Sequence, residues 1–164
     1  MPKIIISSDQ NKEYLFYVPI TSFVCEQYGF NPFIIILGKS KYSDLVYNYV
    51  KKYTNSQIYE IESMPPYKDA TIVQFSRLYA ACLIENEDEY LLTSDVDMLI
   101  LNDYFNRDFD KMNLYGPDLT GFVHYPICYI GMKCKKWREL LNIEYGKFNE
   151  NIIRDLEEEK ELAL

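Results

Sequence analysis

Five consecutive apolar residues, Phe33-Ile34-Ile35-Ile36-Leu37, stand between the breakers Asn31-Pro32 and Gly38. A run of that length is strand-sized. Because side chains alternate across a strand, an unbroken apolar run needs cover on both faces. Lys3-Ile4-Ile5-Ile6-Ser7-Ser8 is a second β-branched run ended by polar residues, Ile58 to Ile61 a weaker one, and Glu89 to Thr93 a fourth. Helical patterns lie between them. Tyr14 to Tyr28 has helical apolar spacing, with Pro19 in the first turn of its main part and Gly29 as the C-cap. Ser43 or Asp44 caps a helix running to about Tyr53. Met64-Pro65-Pro66 marks a loop. Ala70 to Ile84 is the next helix, with Ile72, Phe75, Tyr79 and Cys82 near one face. Alternating strands and helices predict an α/β fold with a mostly parallel central sheet, joined by right-handed crossovers and flanked by helices.

The pattern changes after residue 100. Asn102 to Phe105 suggests one helical turn, Met112 to Tyr115 and Cys128 to Met132 short strands, and Lys135 to Leu140 the start of a helix. Asn149 to Leu162 is strongly acidic and predicts an exposed helix. A length of 164 residues without repeat or linker is read as a single domain, residues 1–164, which can also be one domain of a longer protein.

A net charge of −8 argues against nucleic-acid binding, which needs basic surface to displace counterions. No apolar stretch approaches a membrane span, and Asp9, Lys12 and Glu13 interrupt any signal-peptide pattern, so a cytoplasmic protein is expected. Cys25, Cys82, Cys128 and Cys134 are scattered without a C-x-x-C pair; with a single histidine, the expectation is free thiols in a reducing compartment and no zinc site. The 16 tyrosines suit half-buried amphipathic packing, with sugar-stacking platforms as the alternative.

The residues with most chemistry are Asp95-Val96-Asp97-Met98, directly after Tyr90-Leu91-Leu92-Thr93-Ser94. They put two carboxylates at the C-terminal end of a buried strand, the edge where open α/β sheets bind ligands. Carboxylates there need compensation, and a divalent cation held by hard oxygen ligands supplies it. Capping or loop acids are the other reading of this pair.

Several segments, in order, resemble the GT-A-fold glycosyltransferases, nucleotide-sugar enzymes with a D-x-D motif. Lys3 to Asp9 is similar to their first nucleotide-binding strand, and Glu26-Gln27-Tyr28-Gly29 with Phe33 to Gly38 to the following helix, glycine and strand. Phe75-Ser76-Arg77-Leu78-Tyr79-Ala80-Ala81 is similar to the arginine-bearing helix before the motif strand, and Tyr90 to Met98 to that strand. Tyr125 to Gly131 with Trp137-Arg138-Glu139 resembles the later strand and helix that shape the sugar pocket. The resemblance spans roughly residues 3 to 140.

It implies a Rossmann-like GT-A fold and a metal-dependent transferase that takes a sugar from a nucleoside-diphosphate sugar, a UDP- or GDP-sugar, to a glycan or other acceptor. Asp97 would hold Mn²⁺ or Mg²⁺ on the diphosphate, Asp95 would contact the metal or ribose, and Arg77 the diphosphate or donor sugar. Ser7 and Asp9 would lie by the nucleobase and ribose. The residues themselves leave other roles open: Arg77 can pair with Glu85 or another acid, and Ser7, Ser8 and Asp9 can cap or turn. Asp118, in Gly116-Pro117-Asp118, is the candidate catalytic residue through a sugar hydroxyl, or an ordinary turn acid. His124 does not match the family's metal-binding histidine and is read as a loop residue, and Trp137 as packing. The chain departs from the family in having no recognisable acceptor-binding portion or catalytic base after Leu140. A nucleotide-sugar-binding module without transfer activity is therefore the first alternative. A D-x-D phosphohydrolase with Asp95 as nucleophile is the second, although its motif would sit on the first strand with Thr or Val at position 99, where Leu99 stands.

Overall fold

The computed structural model describes residues 1–105, 108–115 and 128–162. Among the described residues six strands form one sheet: β1 Lys3–Ser8, β2 Asn31–Leu37, β3 Gln57–Ile61, β4 Tyr90–Thr93, β5 Asn113–Leu114 and β6 Ile130–Lys133, in the order β3-β2-β1-β4-β6-β5. The first four are mutually parallel, whereas β6 runs antiparallel to β4 and to β5. The sheet is thus mixed and mostly parallel, flanked by α1 Lys12–Leu15, α2 Tyr17–Gln27, α3 Lys41–Tyr53, α4 Asp69–Leu78, α5 Cys134–Leu141 and α6 Phe148–Leu162.

The apolar runs are buried because helices cover both faces. Ile6, Ile34 and Ile36 pack with Leu15, Val18, Val46 and Val50 of α1 to α3. Ile5, Ile35, Leu37 and Leu91 point the other way, onto Ile72 of α4, Trp137 of α5 and Ile152 of α6. Each such isoleucine or leucine, removed from water, contributes about 1.5–3 kcal/mol before conformational entropy is counted.

Several boundaries differ from the sequence reading, each for a local reason. The helix expected to be capped by Ser43 or Asp44 is capped by Ser40: its hydroxyl accepts from the Ser43 amide at 3.1 Å, while Ser43 Oγ accepts from the Ser40 amide at 2.8 Å. This reciprocal capping box satisfies two amides that would otherwise lack partners. The helix expected over 70–84 stops at Leu78 and gives way to a 3-10 turn over Ala80–Cys82. The acidic last helix is not simply exposed. Phe148, Ile152 and Leu156 recur every four residues and enter the main core. Tyr79 donates its hydroxyl hydrogen to Asp155, so a polar contact also ties α6 to the end of α4. Burial raises the Asp155 carboxyl, but hydrogen bonds from Arg154 and Tyr79 outweigh it and hold the group below the usual carboxylate range.

All four cysteines are free, and Cys25, Cys82 and Cys134 are buried. Burial pushes the thiols of Cys25 and Cys134 up to about 12, leaving them protonated and unreactive near neutral pH. Among the described residues no helix is long and apolar enough to cross a membrane.

At the antiparallel edge, Gly131 of β6 lies against the ring of buried Tyr90, and a Cβ placed there would overlap the Tyr90 hydroxyl. That hydroxyl also accepts from Asn113 Nδ2 at 2.8 Å, so moving the ring would break the tie to β5. Gly131→Ala is expected to destabilise the chain by about 1–3 kcal/mol; an unchanged urea midpoint would contradict this packing.

Candidate functional site

The strand order puts β2 on one side of β1 and β4 on the other, which makes the gap between β1 and β4 a switch point in the chain's path. A cleft of about 320 Å³ opens there. It is walled by Ser7, Ser8 and Asp9 after β1, by Ala70, Val73, Gln74 and Arg77 of α4, and by Asp95, Val96 and Asp97 after β4.

The local sequence explains how the carboxylates reach it. The Ser94 amide donates to the Ile5 carbonyl at 2.9 Å and carries the β1 pairing one residue past β4. Val96 is buried, packs with the α1 to α3 core, and its carbonyl accepts from Thr21 Oγ1 at 2.5 Å. The Met98 amide donates to the Asp95 carbonyl at 3.3 Å and closes a turn. With the middle residue anchored inward, the flanking Asp95 and Asp97 side chains line the cleft. Asp97 is exposed, and the Asp95 side chain is 38% exposed.

Arg77 is 6% exposed, and its Nη1 donates to Asp95 Oδ1 in an ion pair. Its partner is therefore Asp95 rather than Glu85. Its buried Nε has no hydrogen-bond partner among the described residues. Ser7 spends its hydroxyl hydrogen on the Val73 carbonyl at 2.8 Å, tying β1 to α4, and Asp9 Oδ1 accepts from the Asn11 amide at 2.9 Å. Both residues thus have structural work at the cleft wall. Asp118 and His124 lie outside the described residues.

Sequence reasoning missed Tyr14 and Gln74, which also line the cleft, and Cys128, whose thiol lies close enough to the Asp95 carboxylate to feel its charge. Burial first, and that carboxylate second, raise the Cys128 thiol. Tyr14 was read only as the start of a helical apolar pattern, which gives no sign that its ring faces the cleft.

Among the described residues no group of three or more His, Cys, Asp and Glu side chains is arranged to hold a metal alone. The donor chemistry nevertheless suits magnesium or manganese, which bind through one or two carboxylates and complete their shells with water and substrate phosphate. Asp9, Asp95 and Asp97 against the single Arg77 leave the described cleft wall negative, so it would repel a diphosphate unless a cation came with it.

The mixed sheet with its flanking helices has the GT-A glycosyltransferase fold. The chain superposes on the apo-form glycosyltransferase GlyE of Streptococcus pneumoniae TIGR4 with TM-score 0.53 and 14% identity, over 94% of this chain and 42% of that one. A second GlyE structure gives 0.59 and 12%, over 98% and 40%. The galactosyltransferase LgtC, solved with donor and acceptor sugar analogs, gives 0.54 and 16%, over 84% and 59%. The chain spans less than two thirds of the length of each of these neighbours. No protein-family model and no curated protein matches the sequence.

Proposed function

We propose that the chain is a metal-dependent glycosyltransferase domain that binds a nucleoside-diphosphate sugar, a UDP- or GDP-sugar, in the β1–β4 cleft and transfers the sugar to a glycan or other acceptor. The observation that carries this reading is the convergence of Asp95, Asp97 and Arg77 in one cleft at the carboxyl ends of parallel strands. Asp95 and Asp97 would hold Mn²⁺ or Mg²⁺. When bound, that cation would neutralise the leaving diphosphate more strongly in the transition state than in the ground state.

The protein's own residues would divide the remaining work. Arg77 holds Asp95 in place through their ion pair and would bring positive charge to the phosphate or sugar oxygens. Asp9 would accept from ribose or base, and the Ser7 oxygen, its hydrogen already committed to Val73, would act there only as an acceptor. The half-exposed Tyr14 ring offers a stacking face for a nucleobase. Asp118 is retained as the candidate contact to a sugar hydroxyl.

Calorimetric titration with UDP- and GDP-sugars, with and without Mn²⁺, tests donor binding. The expected result is binding that needs the cation; failure of every such donor to bind under either condition would remove the reading. Release of free nucleoside diphosphate on adding candidate acceptors then separates a transferase from a non-catalytic binding module.

A further inference from the structure

Away from the sheet, α2 and α3 leave an apolar groove of about 550 Å³ between them. Phe16, Ile20 and Phe23 form one wall and Leu45, Tyr49 and Tyr53 the other, each between 37% and 65% exposed. Single exposed apolar residues are ordinary, but six converging on one groove are a contiguous patch of the kind that marks an interaction surface.

The segment that builds this groove has a charge opposite to that of the chain, although one of its lysines, Lys39, is paired with Glu60. Residues 12–53 carry five lysines against Glu13, Glu26 and Asp44, a net of +2 in a chain of −8. Three lysines lie near it. Lys52 Nζ lies 5.0 Å from the Tyr53 ring, Lys41 opens α3 next in sequence to the groove residue Tyr42, and Lys12 lines the adjoining cavity with Phe16, Tyr17 and Tyr42, where Glu13 and Asp97 also stand. No ion pair among the described residues engages these three; Glu13 and Asp44 are the acids nearest to them in sequence.

We infer that this face seats the chain on the interfacial zone of an anionic bilayer. Phenylalanine, tyrosine and lysine around an apolar centre are the side chains that partition to that zone, the rings at headgroup depth and the ammonium groups against lipid phosphate. A second copy of the chain docking face to face would instead bring these lysines together.

The groove also leads to the cleft. The adjoining cavity shares Phe16 and Tyr42 with the groove, and Tyr14 and Asp97 with the cleft. A chain seated this way opens its cleft toward the lipid surface. If the transfer reading holds, on which this consequence alone rests, the acceptor is borne on a membrane.

Flotation of the full chain with vesicles of equal parts phosphatidylcholine and phosphatidylglycerol tests the inference. Recovery with these vesicles is expected to exceed that with pure phosphatidylcholine several-fold and to fall as salt rises. The triple variant Phe23→Ser, Leu45→Ser, Tyr49→Ser should lose about tenfold in binding, and Lys41→Glu with Lys52→Glu should lose the preference for anionic vesicles. Unchanged far-ultraviolet circular dichroism of each variant establishes that it is folded. Absence of flotation, or equal flotation of parent and triple variant, overturns the proposal. So does a concentration-dependent dimer abolished by the triple variant, which would assign the groove to a second copy. None of the substituted residues lines the cleft, so nucleotide binding by the same variants keeps the two readings separate.

Discussion

Asp97→Ala will abolish cation-dependent nucleotide binding while leaving the fold intact. The two halves of this expectation come from the same observation: Asp97 lines the cleft, yet it is exposed and no ion pair among the described residues engages it. A surface substitution away from packing moves stability by no more than about 0.5 kcal/mol. If Asp95 and Asp97 hold the cation as proposed, the loss of one of two protein ligands would be far larger for the cation. Changes in outer-shell partners alone cost about 10–100-fold in metal affinity, so removal of a direct ligand should cost roughly 100-fold or more. Asp95 is a poorer probe, because Asp95→Asn would also disturb the pair with buried Arg77 and confound binding with packing. Titration of UDP into the variant with Mn²⁺ present, alongside thermal melting, checks both halves. Parent-like binding would remove Asp97 from the cation site, and a large fall in melting temperature would show that its role is structural.

Ile152→Ala should produce a large loss of stability, although it lies on the acidic last helix. Ile152 is fully buried and belongs to the same cluster as Ile35, Leu91 and Trp137. Truncation removes the transfer energy of the lost methyl groups and leaves a cavity between α6 and the sheet side of the core, together about 3 kcal/mol. For a chain of this size that corresponds to a melting temperature lower by roughly 6–12 °C. The paired control is Glu157→Ala on the exposed face of the same helix, expected to change little. A shift below about 2 °C for Ile152→Ala would mean that α6 docks loosely.

The contrast between Ile152 and Glu157 reflects how little of α6 is legible in its sequence. Composition concealed α6, because its acids outnumber its apolar residues; only the spacing of Phe148, Ile152 and Leu156 betrays a buried stripe. The parallel strands were readable because burial on both faces forces long β-branched runs, as in Ile4 to Ile6 and Ile34 to Ile36. The direction of β6 was not, since four residues carry the same apolar character whichever way they run. In the cleft, the acid pair announced itself by standing at a buried strand's end. Partners set by tertiary contact did not: Arg77 of α4 meets Asp95, 18 residues away, and Ser7 is tied to Val73, 66 residues away. Nothing local to either sequence segment encodes those meetings.

Crystals soaked with Mn²⁺ and UDP, with anomalous scattering recorded at the manganese edge, test the cleft most directly. One strong anomalous peak is expected in contact with the Asp95 and Asp97 carboxylates and the diphosphate oxygens. A nucleotide bound elsewhere, or a cleft that binds UDP with no manganese on either aspartate, would contradict the proposed function.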